Sequence, residues 1–226
     1  MATIVSDSFT RAADALLNAH TPDIGQQWTL VISSGGSASM TVLAANDTVG
    51  GTASVANTRV IYASKPDPTV NEYDVQFKVI TLPVSSTFPY WLMARMVDAS
   101  NYYAGGSWIG AAANDKQIIK RVTGTASLLA SGDTGSAVND IMTLQVRTGS
   151  LTLLKNGVSQ ATISDSSITA IGQAGIGLGN VGTASADDLN ATCRLDDYTV
   201  TTIDADGLPL QSRVVASPFN PILFGV

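Results

Sequence analysis

From Glu72 to Thr81 the chain alternates. Tyr73, Val75, Phe77 and Val79 fall on one side, and Asp74, Gln76 and Lys78 fall on the other. A period of two predicts a half-buried strand, because successive side chains of an extended backbone point to opposite faces. Ile141–Arg147 repeats the pattern and groups Met142, Leu144 and Val146. Tyr90–Val97 is apolar on both faces except for Arg95, which predicts a central strand between two layers. Leu151–Lys155 and Val158–Ile163 flank Asn156-Gly157. Both residues of that pair tolerate positive φ, so a type I′ turn and a hairpin are expected there. Further strands are predicted at Trp28–Ile32, Arg59–Ala63, Gln117–Val122, Ala174–Leu178 and Arg194–Thr202.

Many short strands separated by turn residues predict an all-β sandwich or barrel. One stretch competes. Ala12–Asn18 places Ala13, Leu16 and Leu17 on one helical face behind a Thr10 cap, about two turns that need packing to persist. Ser33–Asn57, rich in Ser, Gly, Ala and Thr, reads either as a set of weak strands or as a flexible insertion. After Thr202 the character changes. Pro218 and Pro221 argue against a helix and a central strand, and Phe219, Ile222, Leu223 and Phe224 make the segment apolar. Such an arm is expected to pack on its own domain or on a partner. The expected organisation is a domain over 1–204 and a C-terminal arm over 205–226.

Composition narrows the picture. With 45% hydrophobic and 13% charged side chains over 226 residues, the chain can bury one sizeable core. The net charge is −6 and no block of Lys or Arg occurs. That pattern lacks the electrostatic footprint of a nucleic-acid or anionic-membrane partner. No apolar run approaches the ~20 residues that span a bilayer. Met1–Asp7 lacks a basic segment followed by an apolar one, so the expected product carries no secretory signal and is made in the host cytoplasm. The lone Cys193 cannot form an internal disulfide and is expected as a small buried hydrophobe.

Several blocks, taken in order, carry a family likeness. Asp7-Ser8-Phe9-Thr10-Arg11-Ala12 is followed by Gly25-Gln26-Gln27-Trp28. Tyr73-Asp74-Val75 leads to Arg95 and to Asn101-Tyr102-Tyr103. Ile118–Gly124 precedes Leu128-Leu129-Ala130. Leu144–Arg147, Asn156-Gly157, Ile163-Ser164-Asp165 and Gly172–Leu178 come before Leu195–Val200. Over roughly residues 4 to 204 this order resembles the laminin-G-like, concanavalin A-like superfamily. The resemblance implies a two-sheet antiparallel jelly-roll sandwich. Thr21–Trp28 further resembles jelly-roll proteins encoded in bacteriophage structural gene sets.

The resemblance also frames the chemistry. Glucanases of this superfamily use two glutamates on an E-x-D-x-x-E type strand. Here Glu72-Tyr73-Asp74-Val75-Gln76-Phe77 holds the only Glu in the chain. Glycoside hydrolysis needs two carboxyls about one bond, so the chain is expected to be non-catalytic and no catalytic residue is assigned. His20, the single histidine, is expected in a solvated loop, with no G-x-S-x-G to support a triad. One His and one Cys make a zinc site improbable. Calcium is the one metal with ligands on offer, at Asp187-Asp188, Asp196-Asp197 and Asp204-Ala205-Asp206-Gly207. Solvated turn aspartates are the simpler reading, and no cofactor is expected. Gly175-Ile176-Gly177-Leu178-Gly179 lacks the helix and Lys of a phosphate loop and reads as glycines in a β hairpin or bulge.

Asn101–Trp108 concentrates aromatic side chains. Tyr102, Tyr103 and Trp108 are candidates for stacking on a ligand or partner, while alternation sends at least one tyrosine into the core. The leading functional expectation is a non-catalytic virion protein of a bacteriophage, a capsid decoration or tail-associated subunit. It would act through contacts with a capsid or tail protein and as a homo-oligomer such as a trimer, with Phe219, Ile222, Leu223 and Phe224 as the docking arm. The alternative is a carbohydrate-binding module that recognises a host-surface glycan.

Overall fold

A computed structural model describes residues 1–34, 38–52, 59–82, 88–109, 116–132, 135–179 and 193–203, without the side chains of 52, 88, 108 and 109. Sixteen strands make up nearly all regular structure among them. They are β1 (Ala2–Asp7), β2 (Ala15–Leu16), β3 (Gln26–Ser34), β4 (Ser39–Leu43), β5 (Thr48–Thr52), β6 (Arg59–Lys65), β7 (Tyr73–Thr81) and β8 (Phe88–Asp98). The second half holds β9 (Asn101–Ile109), β10 (Lys116–Val122), β11 (Thr125–Gly132), β12 (Ile141–Arg147), β13 (Ser150–Lys155), β14 (Val158–Ser164), β15 (Gln173–Gly179) and β16 (Arg194–Thr202).

They form two antiparallel sheets. The nine-stranded sheet runs β14-β13-β12-β7-β16-β5-β4-β2, with β1 also paired to β16. The seven-stranded sheet runs β11-β10-β9-β8-β15-β6-β3. The two pack face to face as a jelly-roll sandwich, as the sequence resemblance implies.

The alternating segments explain the core. Val75, Phe77 and Val79 of β7, Leu144 and Val146 of β12, and Leu195 and Val200 of β16 point inward from the larger sheet. Tyr62, Leu92, Tyr103, Ile118, Ile176 and Leu178 meet them from the smaller one. Each fully buried side chain of this size contributes roughly 1.5–3 kcal/mol. Gly105 of β9 packs tightly against the larger sheet, since a Cβ there would sit 2.8 Å from Leu144 Cδ1. The Asn156-Gly157 turn has φ of 51° and 78° and joins Lys155 to Val158 across the hairpin, as its sequence requires.

Strand β8 is central in the seven-stranded sheet and buried on both faces. Tyr90, Leu92 and Ala94 enter the main core, whereas Trp91, Met93 and Met96 join a second cluster with Ile32, Ile61, Ala63, Tyr102 and Ala104. Strict alternation puts that second cluster on the outer face of the seven-stranded sheet.

Two expectations are corrected. Ala12–Asn18 is not a helix: Ala15 and Leu16 pair with Val42 and Thr41 as β2, and Leu17–Ala19 forms a single 3-10 turn. The short amphipathic run yields to a sheet edge that offers backbone partners and a core site for Leu17. His20 is not a solvated loop residue. It is 4% exposed, and its Nε2 lies 2.8 Å from Asp7 Oδ1. Asp7, fully buried, also accepts from Trp28 Nε1 at 2.7 Å and from Phe9 N at 2.8 Å. This carboxyl ties β1, the 3-10 turn and β3 into one corner, because each buried donor must find an acceptor. Cys193 is buried and free, and burial raises its thiol to about 12.

Candidate functional site

At one end of the sandwich the turns converge on a cleft. Asn71 precedes β7, Thr148 and Gly149 join β12 to β13, and Asp165, Ser166 and Thr169 belong to the connection between β14 and β15. With Arg95 of β8 they line a cavity of about 230 Å³.

Arg95 sits at a bulge. Its φ is 45°, and the register of β8 shifts between Ala94 and Asp98 against β9. A bulge re-aims a side chain, here to the sandwich end. The guanidinium then donates from Nη1 to the carbonyls of Ile168 and Thr169, each at 3.2 Å, and from Nη2 to those of Asn71 at 3.2 Å and Arg147 at 3.4 Å. Three separate turns are thereby held on one planar fork. The Arg95 backbone N–H donates to Tyr73 Oη at 2.8 Å. Burial raises the Tyr73 phenol to about 12. Gly172 passes so close that an added Cβ would lie 2.5 Å from the Arg95 carbonyl carbon, and its φ is 60°. Only glycine meets both conditions without strain.

Asp165 forms the opposite wall. Its carboxylate accepts from Tyr103 Oη, from Lys120 Nζ at 2.8 Å and from Ser167 N at 2.8 Å. Burial opposes its charge, but the hydrogen bonds from Lys120, Tyr103 and Ser167 win and hold the group well below the ordinary carboxylate range. Tyr103 is raised to about 12 by burial and by that same carboxylate. Among the described residues no carboxylate lies within 4.0 Å of the Arg95 guanidinium. The cleft therefore offers an amide, hydroxyls, a fixed carboxylate and a clamped cation around a space the size of one small polar ring. Such convergent polar groups at a concave site orient a ligand.

Of the aromatic residues predicted as a site, Tyr102 and Tyr103 face opposite sides of their strand. Tyr103 points into the core and reaches Asp165, while Tyr102 points to the outer face of the seven-stranded sheet. Trp108 pairs with Pro89 through the backbone, and its side chain lies outside the described residues. Phe219, Ile222, Leu223 and Phe224 also lie outside them. No group of three or more His, Cys, Asp or Glu among the described residues is placed to hold a metal ion. Of the calcium candidates, Asp196-Asp197 sit on β16 at a bulge, and the other two segments fall outside the description. The sequence signal that did exist for the cleft was Arg95, a lone charge in an apolar strand. Asn71, Thr148 and Thr169 carry no motif.

No protein-family model matches the chain, and no curated protein matches its sequence. Solved structures do. The carbohydrate-binding module CBM66 from Bacillus subtilis superposes with a TM-score of 0.55 at 14% identity, covering 77% of this chain and 95% of that one. A Bacillus subtilis protein of unknown function with a galectin-like fold gives 0.59 at 11% identity, covering 89% and 96%. Domain 4 of AbnA, an extracellular arabinanase from Geobacillus stearothermophilus in complex with arabinotriose, gives 0.52 at 13% identity, covering 89% and 92%. At such identities the likeness concerns architecture, and the architecture is the galectin-like, concanavalin A-like jelly-roll sandwich.

Proposed function

We propose that this chain is a non-catalytic glycan-binding domain that seats a sugar ring in the end cleft. The observation that carries the reading is the cleft itself, with Asn71, Thr148, Asp165, Ser166 and Thr169 around a cavity of about 230 Å³. Sugar hydroxyls are at once donors and acceptors, and they need fixed partners of both kinds. Asp165 and Arg95 are held by bonds to other groups, so they are pre-set before a ligand arrives, which lowers the ordering cost of binding. Two of the similar structures support the reading: one is a carbohydrate-binding module and the other is in complex with arabinotriose. A virion-borne role with a capsid or tail partner rests on the sequence alone: the resemblance of Thr21–Trp28, the lack of a secretory signal pattern and of a catalytic set, and the apolar segment around Phe219–Phe224. A particle-borne glycan binder would satisfy both expectations.

A glycan array followed by titration calorimetry tests the proposal. Saturable binding of a saccharide is expected, with Asn71→Ala and Ser166→Ala each weakening it about tenfold, equivalent to ~1.4 kcal/mol. An array without hits, or affinities unchanged in both variants, overturns it.

A further inference from the structure

On the outer face of the seven-stranded sheet, turned away from the core, two arginines meet. Arg59 belongs to β6 and Arg121 to β10, with β15, β8 and β9 between them. Both converge on Tyr102. Arg121 stands directly opposite Tyr102 in the β9–β10 ladder, so their side chains share a face. Arg59 Nη1 donates to Tyr102 Oη at 3.0 Å. The floor beneath is apolar: Ile61, Trp91, Met93 and Ala104 are buried there. Gly177 of β15 makes room for it, since an added Cβ would lie 3.2 Å from both Met93 Sδ and Trp91 Cε3.

This arrangement is costly as it stands. The Nε of Arg59 and that of Arg121 are both buried without a hydrogen-bond partner. The ion pairs among the described residues use His20, Lys65, Lys120 and Arg147, and neither of these two arginines. Burial and the neighbouring charge of Arg121 together depress the Arg59 guanidinium. Two like charges on an apolar floor are unfavourable unless something negative completes them. In a chain with 18 acidic residues and a net charge of −6, the lack of an acidic partner among the described residues at this spot stands out. Both residues remain partly exposed, so a small group can reach their forks.

We propose that Arg59 and Arg121 form an oxyanion-binding site on the outer sheet face, taking a carboxylate or sulfate group of a ligand, with the Tyr102 hydroxyl as a third donor. The guanidinium fork matches such groups in a bidentate manner, with charge-assisted hydrogen bonds. Tyr102 accepts from Arg59 and keeps its own O–H to donate. The site is separate from the cleft and does not depend on sugar binding there.

Nuclear magnetic resonance titration of the full chain with sodium sulfate and with sodium acetate, at constant ionic strength against chloride, tests the site. Saturable shifts centred on β6, β9 and β10 are expected, and the stronger of the two probes identifies a tetrahedral or a planar group. Arg59→Gln and Arg121→Gln should each weaken binding at least about tenfold, and Arg121→Lys should keep the charge yet lose most of the affinity. Asn71→Ala should leave anion binding unchanged, which separates this site from the glycan reading. Absence of saturable shifts, or equal binding in wild type and both Gln variants, overturns the proposal.

Discussion

Replacing Asp7 with alanine is the sharpest test of how this sandwich is held at its corner. The side chain is fully buried and accepts from Trp28 Nε1, Phe9 N and His20 Nε2 at 2.7–2.8 Å. Asp7→Ala strands all three. A hydrogen bond to a charged group contributes about 1.5–3 kcal/mol, but the three share one carboxyl and do not add in full. The cost of removing one partner from a buried pair, about 3–5 kcal/mol, bounds the sum. For a domain of this length each kcal/mol lowers Tm by about 2–4 °C, so a fall of roughly 10 °C is expected. Asp7→Asn should lie between. Its oxygen can keep Phe9 and His20, but its amide then faces the Trp28 N–H, donor to donor. The exposed Asp23, which accepts from Ser8 N and Oγ, provides the control, and Asp23→Ala should cost no more than about 1 kcal/mol. Thermal melts and urea titrations followed by tryptophan fluorescence read the outcome, with Trp28 itself reporting on the corner. An Asp7→Ala protein melting within about 2 °C of wild type would refute the account.

Two further expectations concern other parts of the fold. Burial, with the nearby charges of Asp197 and Asp47, raises the Asp196 carboxyl to about 6. The folded form then holds a proton that the unfolded chain has released, so this contribution to stability is complete below the ordinary carboxylate pKa and is lost as pH rises through about 6. Melting temperatures between pH 4 and 7 should fall more steeply for wild type than for Asp196→Asn, and parallel curves would contradict the assignment. Gly105→Ala places a methyl 2.8 Å from Leu144 Cδ1 and 3.3 Å from Leu153 Cδ1. Overpacking of this kind costs about 1–3 kcal/mol in a denaturant titration, and a neutral result would show that the sheets can part there.

Segments with strict alternation were legible at once. β7, β12 and β16 carry their facing in the sequence itself, and the Asn156-Gly157 turn sets the β13–β14 register locally. β9 was harder to read, because Tyr102-Tyr103-Ala104-Gly105-Gly106 looks like a turn in isolation. Its glycines answer a tertiary demand: Gly105 lies against Leu144 and Leu153, and a Cβ at Gly106 would sit 2.0 Å from the Tyr90 carbonyl oxygen. β4 and β5 were ambiguous for a related reason, since small residues signal little until a neighbouring strand supplies the ladder. His20 was misread because its partner, Asp7, lies thirteen residues away along the chain, and only the packed corner brings them together. Apart from Arg95, a lone charge in an apolar strand, the cleft and the arginine pair were hidden for the same cause. Asn71 and Thr148 meet Arg95 of β8 at one end of the sandwich, and Arg59 finds Tyr102 across two intervening strands. Such meetings are set by sheet order rather than by spacing.

The pairing of β1 with β16 has a practical side. Ala2 lies opposite Thr202, and Ile203 N donates to the Glu72 carbonyl at 3.0 Å. Asn71, the next residue back, is part of the cleft wall. A purification tag or tether fused at Ala2 would emerge beside the ligand mouth and crowd it. A cysteine handle introduced at the Asn156-Gly157 tip would anchor the domain from the opposite pole and leave that mouth open to an immobilised-partner assay.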